Sequence, residues 1–145
     1  MEWNEHLLRL GACSWTAKGW EKDFYRRAKK QTEFLGEYGE RYSSVEIDSS
    51  FYAIPRAEVV QNWHDITPKG FVFAAKAPRI ITHDKYLVDC AGDLNQYLQT
   101  MSVLGDKLGP LLFQFPYFAR AKGVELKEFL ERLLPFLGLL PEGEF

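Results

Sequence analysis

Cysteine, histidine and long apolar runs are all scarce in this chain, and each scarcity removes a class of protein. Two cysteines among 145 residues, Cys13 and Cys90, cannot build the dense disulfide framework of a small secreted domain, so a reducing, cytoplasmic setting is expected. The three histidines stand apart at positions 6, 64 and 83 without H-x-x-x-H or Cys/His spacing, and no metal site is predicted. The longest purely apolar runs are too short to cross a bilayer, and the opening "MEWNEHLLRL" has neither the basic start nor the apolar block of a signal peptide; no membrane or targeting segment is expected. Also missing is a glycine-rich phosphate turn: "SWTAKGW" contains no G-x-G-x-x-G and no Walker-type GK[ST]. A formal net charge of −2 gives no global attraction to nucleic acid, although "YRRAKK" at 25–30 concentrates four of the 18 basic side chains.

What the chain does have is apolar and aromatic content. With 46% hydrophobic, 26% charged and 15% aromatic residues it has the composition of one globular domain able to bury a core. The pattern along it repeats. Leu7 to Trp15 reads as a strand, and after a long loop Thr32 is placed to cap a helix with Phe34, Leu35, Tyr38 and Tyr42 on one face. Ser44 to Tyr52 reads as a second strand, followed by a helix whose apolar side is Val59, Val60, Trp63 and Ile66, closed by Thr67-Pro68. Gly70 to Lys76 is strand-like. Asp93 then opens a helix carrying Leu94, Tyr97, Leu98, Met101, Leu104 and Leu108, stopped by Gly109-Pro110. Leu111 to Phe115 reads as a fourth strand, and from Val124 a last helix is outlined by Leu126, Phe129, Leu130, Leu133 and Leu137, interrupted near Pro135. Four βα units in succession imply an α/β fold with a parallel sheet, because parallel strands need crossovers.

Polar side chains recur near the carboxyl end of each strand: Ser14, then Glu46 and Asp48, then Lys76, then Gln114. In a barrel of parallel strands that end carries the site, so the pattern favours part of a β/α barrel over an open sheet. In "VEIDSSFY", at 45–52, the two-residue period points Glu46 and Asp48 to one side, and two like charges there need a polar setting.

The blocks "GACSW", "GW…FY", "VEIDSSFY", "W…TPKGFVFAAKAPRIITH" and "LGPLLFQFP" resemble, in order and spacing, the signature blocks of the YecE-like family, domain of unknown function 72. The resemblance covers nearly the whole chain and implies a TIM-like β/α barrel. Members of that family are usually longer, and this chain stops about where the fifth barrel strand would begin. Residues 1–145 are therefore expected to form one domain, a parallel (βα)4 half of a TIM-like barrel, which is a truncated product, part of a longer sequence, or a half that a second copy completes as a homodimer.

Each candidate residue has two readings. Glu46 and Asp48 serve as general acid and base in hydrolase- or lyase-type chemistry, or as salt-bridged carboxylates bracing the barrel mouth. Lys76, pointing the same way as Val72 and Ala74, is their natural partner, either neutralising them or binding a phosphate or carboxylate. His83 is a general acid or a loop anchor beside Thr82, and Arg79 in the same loop suits an anionic group. Ser14 and Gln114 are neutral strand-end groups. Trp15, Trp20, Phe24, Tyr25, Phe51 and Tyr52 either stack on a sugar or base ring or pack the interior. Cys13 is by default a small thiol without nucleophilic support. The leading expectation is a site for a small anionic or phosphorylated ligand, a sugar or nucleotide moiety, with no cofactor named. The alternatives are a single-strand nucleic-acid surface on "YRRAKK", Lys18 and Lys22, or a fragment without activity of its own.

Overall fold

A computed structural model of the chain describes residues 8–28, 30–117 and 125–141. His6, Leu7, Lys29 and Val124 lie outside the described residues. Within them the order is α1 (Trp20–Asp23), α2 (Gln31–Gly39), β1 (Ser44–Ile47), α3 (Ala57–Ile66), β2 (Val72–Lys76), α4 (Ala91–Met101), β3 (Leu108–Leu112) and α5 (Leu126–Leu137). The three strands form a parallel sheet in the order β1-β2-β3, with Glu46 beside Ala74 and Lys76 beside Leu112.

The alternation expected of β1 and β2 decides which face is covered. Val45, Ile47, Phe73 and Ala75 are at most 1% exposed, packed under Leu35 and Tyr38 of α2, Val60 and Trp63 of α3, and Tyr97 and Met101 of α4. Ser44, Glu46, Val72, Ala74 and Lys76, on the opposite face, are only partly buried. Two tyrosines pin the layers by hydrogen bonds. Tyr97 donates to the Ala75 carbonyl at 2.9 Å, while Tyr38 donates to the Ser44 carbonyl at 3.0 Å and accepts from Ala12 N–H at 2.7 Å. Burial pushes both phenols above their ordinary range, so they remain donors. A second apolar cluster, Ile81, Leu94, Phe129 and Phe136 among others, seats α5 against α4.

Five expectations need correction. The segment from Leu8 to Trp15 is not a strand: it runs beside β1 with one ladder-like bond, Glu46 N–H to the Ala12 carbonyl at 2.9 Å. It approaches so closely at Gly11 that a Cβ there would sit 2.1 Å from the Ser44 carbonyl oxygen. Ser14 then captures the Thr16 N–H at 3.0 Å, turning the chain away before pairing can extend. The second strand is shorter than expected, ending at Ile47, because Asp48 takes helical dihedrals and residues 49–51 form a 3-10 turn. Buried Ser50 holds that turn, donating toward the Ile47 carbonyl at 2.8 Å and the Lys76 carbonyl at 2.6 Å.

Gly109 and Pro110 do not stop the helix of the third unit. α4 ends at Met101, a 3-10 stretch follows to Lys107, and Gly109-Pro110 lie inside β3, an outer strand where a missing N–H is tolerated. Finally, α2 is capped from Lys30, whose N–H donates to the Glu33 carboxylate at 3.1 Å; Thr32 lies in its first turn. α5 runs through Pro135 without a break.

Candidate functional site

The carboxyl ends of β1 and β2 bring four of the singled-out residues into one chain of contacts. Lys76 is the last residue of β2, and its ammonium donates to Asp48 Oδ1 at 3.2 Å, just past the end of β1. The Lys76 side chain is 16% exposed and that of Asp48 40%. The same ammonium stands 4.6 Å from the centre of the Phe51 ring, a cation–π contact, and the His83 ring meets Phe51 edge-on at 5.0 Å. The 3-10 turn after β1 therefore carries out the positioning: it folds Phe51 back between a lysine and a histidine that strand geometry alone would not bring to it.

His83 sits on a π turn at 80–84, with its Nδ1 2.9 Å from Thr82 Oγ1. Burial first, then the positive charges of Arg79 and Lys76, hold its pKa below the ordinary imidazole value, with Asp84 pulling the other way. His83 is thus neutral at pH 7. Arg79, mostly exposed, donates to Asp84 Oδ1 at 3.0 Å.

Glu46 is different. Its carboxylate has no hydrogen-bond or ion-pair partner among the described residues. It borders two hollows. One, of about 490 Å³, lies on the bare sheet face against Gly11, Cys13, Ser44, Val72 and Ala74. The other, of about 560 Å³, opens between α2 and α3 at the strand ends and is bordered by Ser14, Trp15, Asp48, Glu58, Asn62 and Trp63. Trp15 and Trp63 meet there edge to face at 5.4 Å.

The remaining candidates fall elsewhere. Trp20 stacks on Phe24 at 4.9 Å, and buried Tyr25 stacks on Phe34 at 4.1 Å while its hydroxyl donates to the Trp15 carbonyl. These rings pack the interior. Tyr52 is 77% exposed, touching Phe51 edge-on, and Gln114 is exposed beyond the end of β3. Cys13 is exposed and Cys90 buried, with burial pushing the Cys90 thiol up. Among the described residues no three of His, Cys, Asp and Glu gather as a metal-binding group, and no helix is long and apolar enough to cross a membrane.

One buried carboxylate escaped the sequence reading. Glu37 of α2 accepts the backbone N–H groups of Arg26 (2.9 Å), Arg27 (3.0 Å) and Ala28 (2.8 Å) and pairs with Arg41 at 3.3 Å. Those backbone bonds, from Ala28 and Arg26 foremost, hold its carboxyl at about 2 against an ordinary 4.5. Glu37 thereby organises the basic loop from inside, while Arg27 pairs with Glu40 on the surface. The only sequence signal for it was the spacing of Glu37 and Arg41, one helical turn apart.

A family model described as "Protein of unknown function DUF72" matches residues 9–140. The UPF0759 protein YecE of Escherichia coli K12 is 34% identical over 110 residues, which is 76% of this chain and 38% of that protein. A crystal structure of a DUF72 family protein from Enterococcus faecalis V583 superposes with a TM-score of 0.67 at 27% identity, over 92% of this chain and 48% of that one. A second crystal structure with the same description gives a TM-score of 0.60 at 23% identity. The chain spans well under half the length of the curated relative and about half that of the solved one.

Proposed function

The chain belongs to the DUF72 family, and on that footing we propose that it binds the anionic group of a small ligand at the carboxyl ends of its strands, with Lys76 as the receiving cation. One observation carries this reading. The Lys76 ammonium has three donors, is largely withdrawn from water, and among the described residues makes a single hydrogen bond, to Asp48, with an aromatic face on another side. A withdrawn donor left unmet is costly, and a phosphoryl or carboxylate oxygen supplies the missing acceptor. Arg79 is exposed enough to leave Asp84 and join it. His83, its pKa held below the ordinary imidazole value, and Glu46, without a partner among the described residues, are then the groups available for proton transfer on the bound ligand. Inorganic phosphate should raise the melting temperature of the wild type in a concentration-dependent way and leave Lys76→Met unmoved. Equal stabilisation of both proteins would defeat the proposal.

The sheet favours a second, compatible reading, in which this chain is the amino-terminal half of a TIM-like barrel closed by a second copy. Among the described residues, helices cover one face only. Both outer edges expose apolar side chains, Leu8 and Leu10 beside β1 and Leu112 with Leu130 and Leu134 beyond β3. A two-fold axis along the strand direction sets each edge against the other while keeping every strand parallel. Light scattering should give the mass of a dimer, reduced to a monomer by Leu130→Glu with Leu134→Glu; a monomeric wild type would rule the closure out.

A further inference from the structure

The cleft between α2 and α3 differs in chemistry from the lysine beside it. Its border carries the acidic residues Glu46, Asp48 and Glu58, the amide and hydroxyl residues Asn62, Gln31 and Thr32 and the aromatic Trp15, and no Lys or Arg. A bare phosphate finds no cation there and meets acidic residues that repel it. A ring bearing hydroxyl groups finds partners, because each carboxylate oxygen accepts from a hydroxyl, a carboxamide both accepts and donates, and an indole covers the apolar side of a sugar. Its volume of about 560 Å³ lies within the ordinary range for small-molecule sites, roughly 300–1,000 Å³.

Asp48 is the link. It borders the cleft, and its Oδ1 is engaged by Lys76, which leaves Oδ2 without a partner among the described residues. The acidic cleft and the cation at its rim are therefore one residue apart. We propose that the ligand of this site is a phosphorylated sugar, its phosphoryl group on Lys76 and its ring hydroxyls in the cleft against Glu46, Asp48 and Asn62. This rests on the anion-binding reading above and adds the part of the ligand that reading leaves undefined.

Calorimetric titration of the full chain with ribose 5-phosphate, glucose 6-phosphate and inorganic phosphate tests it. At least one sugar phosphate should bind about tenfold or more tightly than phosphate, equivalent to about 1.4 kcal/mol. Asn62→Ala should erode that advantage while leaving phosphate affinity unchanged, Glu46→Gln should lower the ratio of sugar phosphate to phosphate affinity, and circular dichroism identical to wild type would show that the variants fold. If neither sugar phosphate exceeds phosphate, or if Glu46→Gln weakens all three ligands alike, the cleft assignment is overturned and the lysine reading stands. If phosphate itself fails to bind, or binds Lys76→Met equally well, the anion-binding reading falls and the sugar phosphate assignment with it.

Discussion

Removing the two members of the Asp48–Lys76 pair separately should not cost the same. At 3.2 Å, an effective dielectric near 20 gives a gross attraction of about 5 kcal/mol. Most of that is offset, because the Lys76 ammonium gave up its hydration to lie at 16% exposure and water still screens Asp48 at 40%. We expect a net coupling of about 1 kcal/mol, between the value for surface pairs and the cost of breaking a buried one. The asymmetry follows from the exposures. Asp48→Asn strands a withdrawn cation and should destabilise by about 2 kcal/mol, whereas Lys76→Met leaves a carboxylate that water can reach, replaces an alkyl stem with another, and should cost about 1 kcal/mol or less. Urea unfolding followed by tryptophan fluorescence, on both single variants and the double variant at fixed protein concentration, measures all three quantities. Equal single costs with coupling below about 0.3 kcal/mol would refute the reasoning: Lys76 would then be an ordinary solvated lysine with no donors in reserve.

Two further predictions concern parts of the structure away from the site. Glu37 has a folded-state pKa of about 2 against 4.5, so its stabilising contribution is complete above about pH 5 and is lost as the pH falls toward 2; Glu37→Gln should flatten that part of an acid-denaturation curve, and an unchanged acid limb would contradict the loop assignment. Lys107 is buried and donates to the carbonyls of His64 and, at 2.7 Å, Thr67 at the end of α3. Lys107→Met should lower the unfolding free energy by about 3 kcal/mol in the same urea assay, a loss below about 0.5 kcal/mol showing that water replaces the ammonium there.

How far the sequence could be read depended on whether a feature is local. The alternation of Val45 and Ile47 with Glu46, and the common face of Val72, Ala74 and Lys76, is a two-residue period that needs no distant information, and the strands keep it. Lys76 was legible as a partner for the carboxylates of the second strand, but its contact with Asp48 came with the helical dihedrals that end β1 at Ile47. Ser50 broke the pattern because its hydroxyl is shared between Ile47 and a carbonyl 26 residues away, a contact no window of sequence contains. Gly109-Pro110 reads as a stop in any helix, and its place in β3 depends on that strand being at the sheet's edge. Phe51 was legible as an aromatic near the site, yet its position between Lys76 and His83 came only with the 3-10 turn. Trp20 and Tyr25 were legible only as aromatics near the first strand; their stacking on Phe24 and Phe34 required the fold.

The central claim is that an anion docks at the carboxyl ends of β1 and β2. The most direct measurement is a titration of isotopically labelled protein with inorganic phosphate, followed by amide and lysine side-chain NMR shifts. The largest changes should fall on Asp48, Phe51, Lys76 and His83 and saturate together. Changes confined to Arg26, Arg27 and Lys30, with Lys76 silent, would place the anion on the basic loop and contradict it.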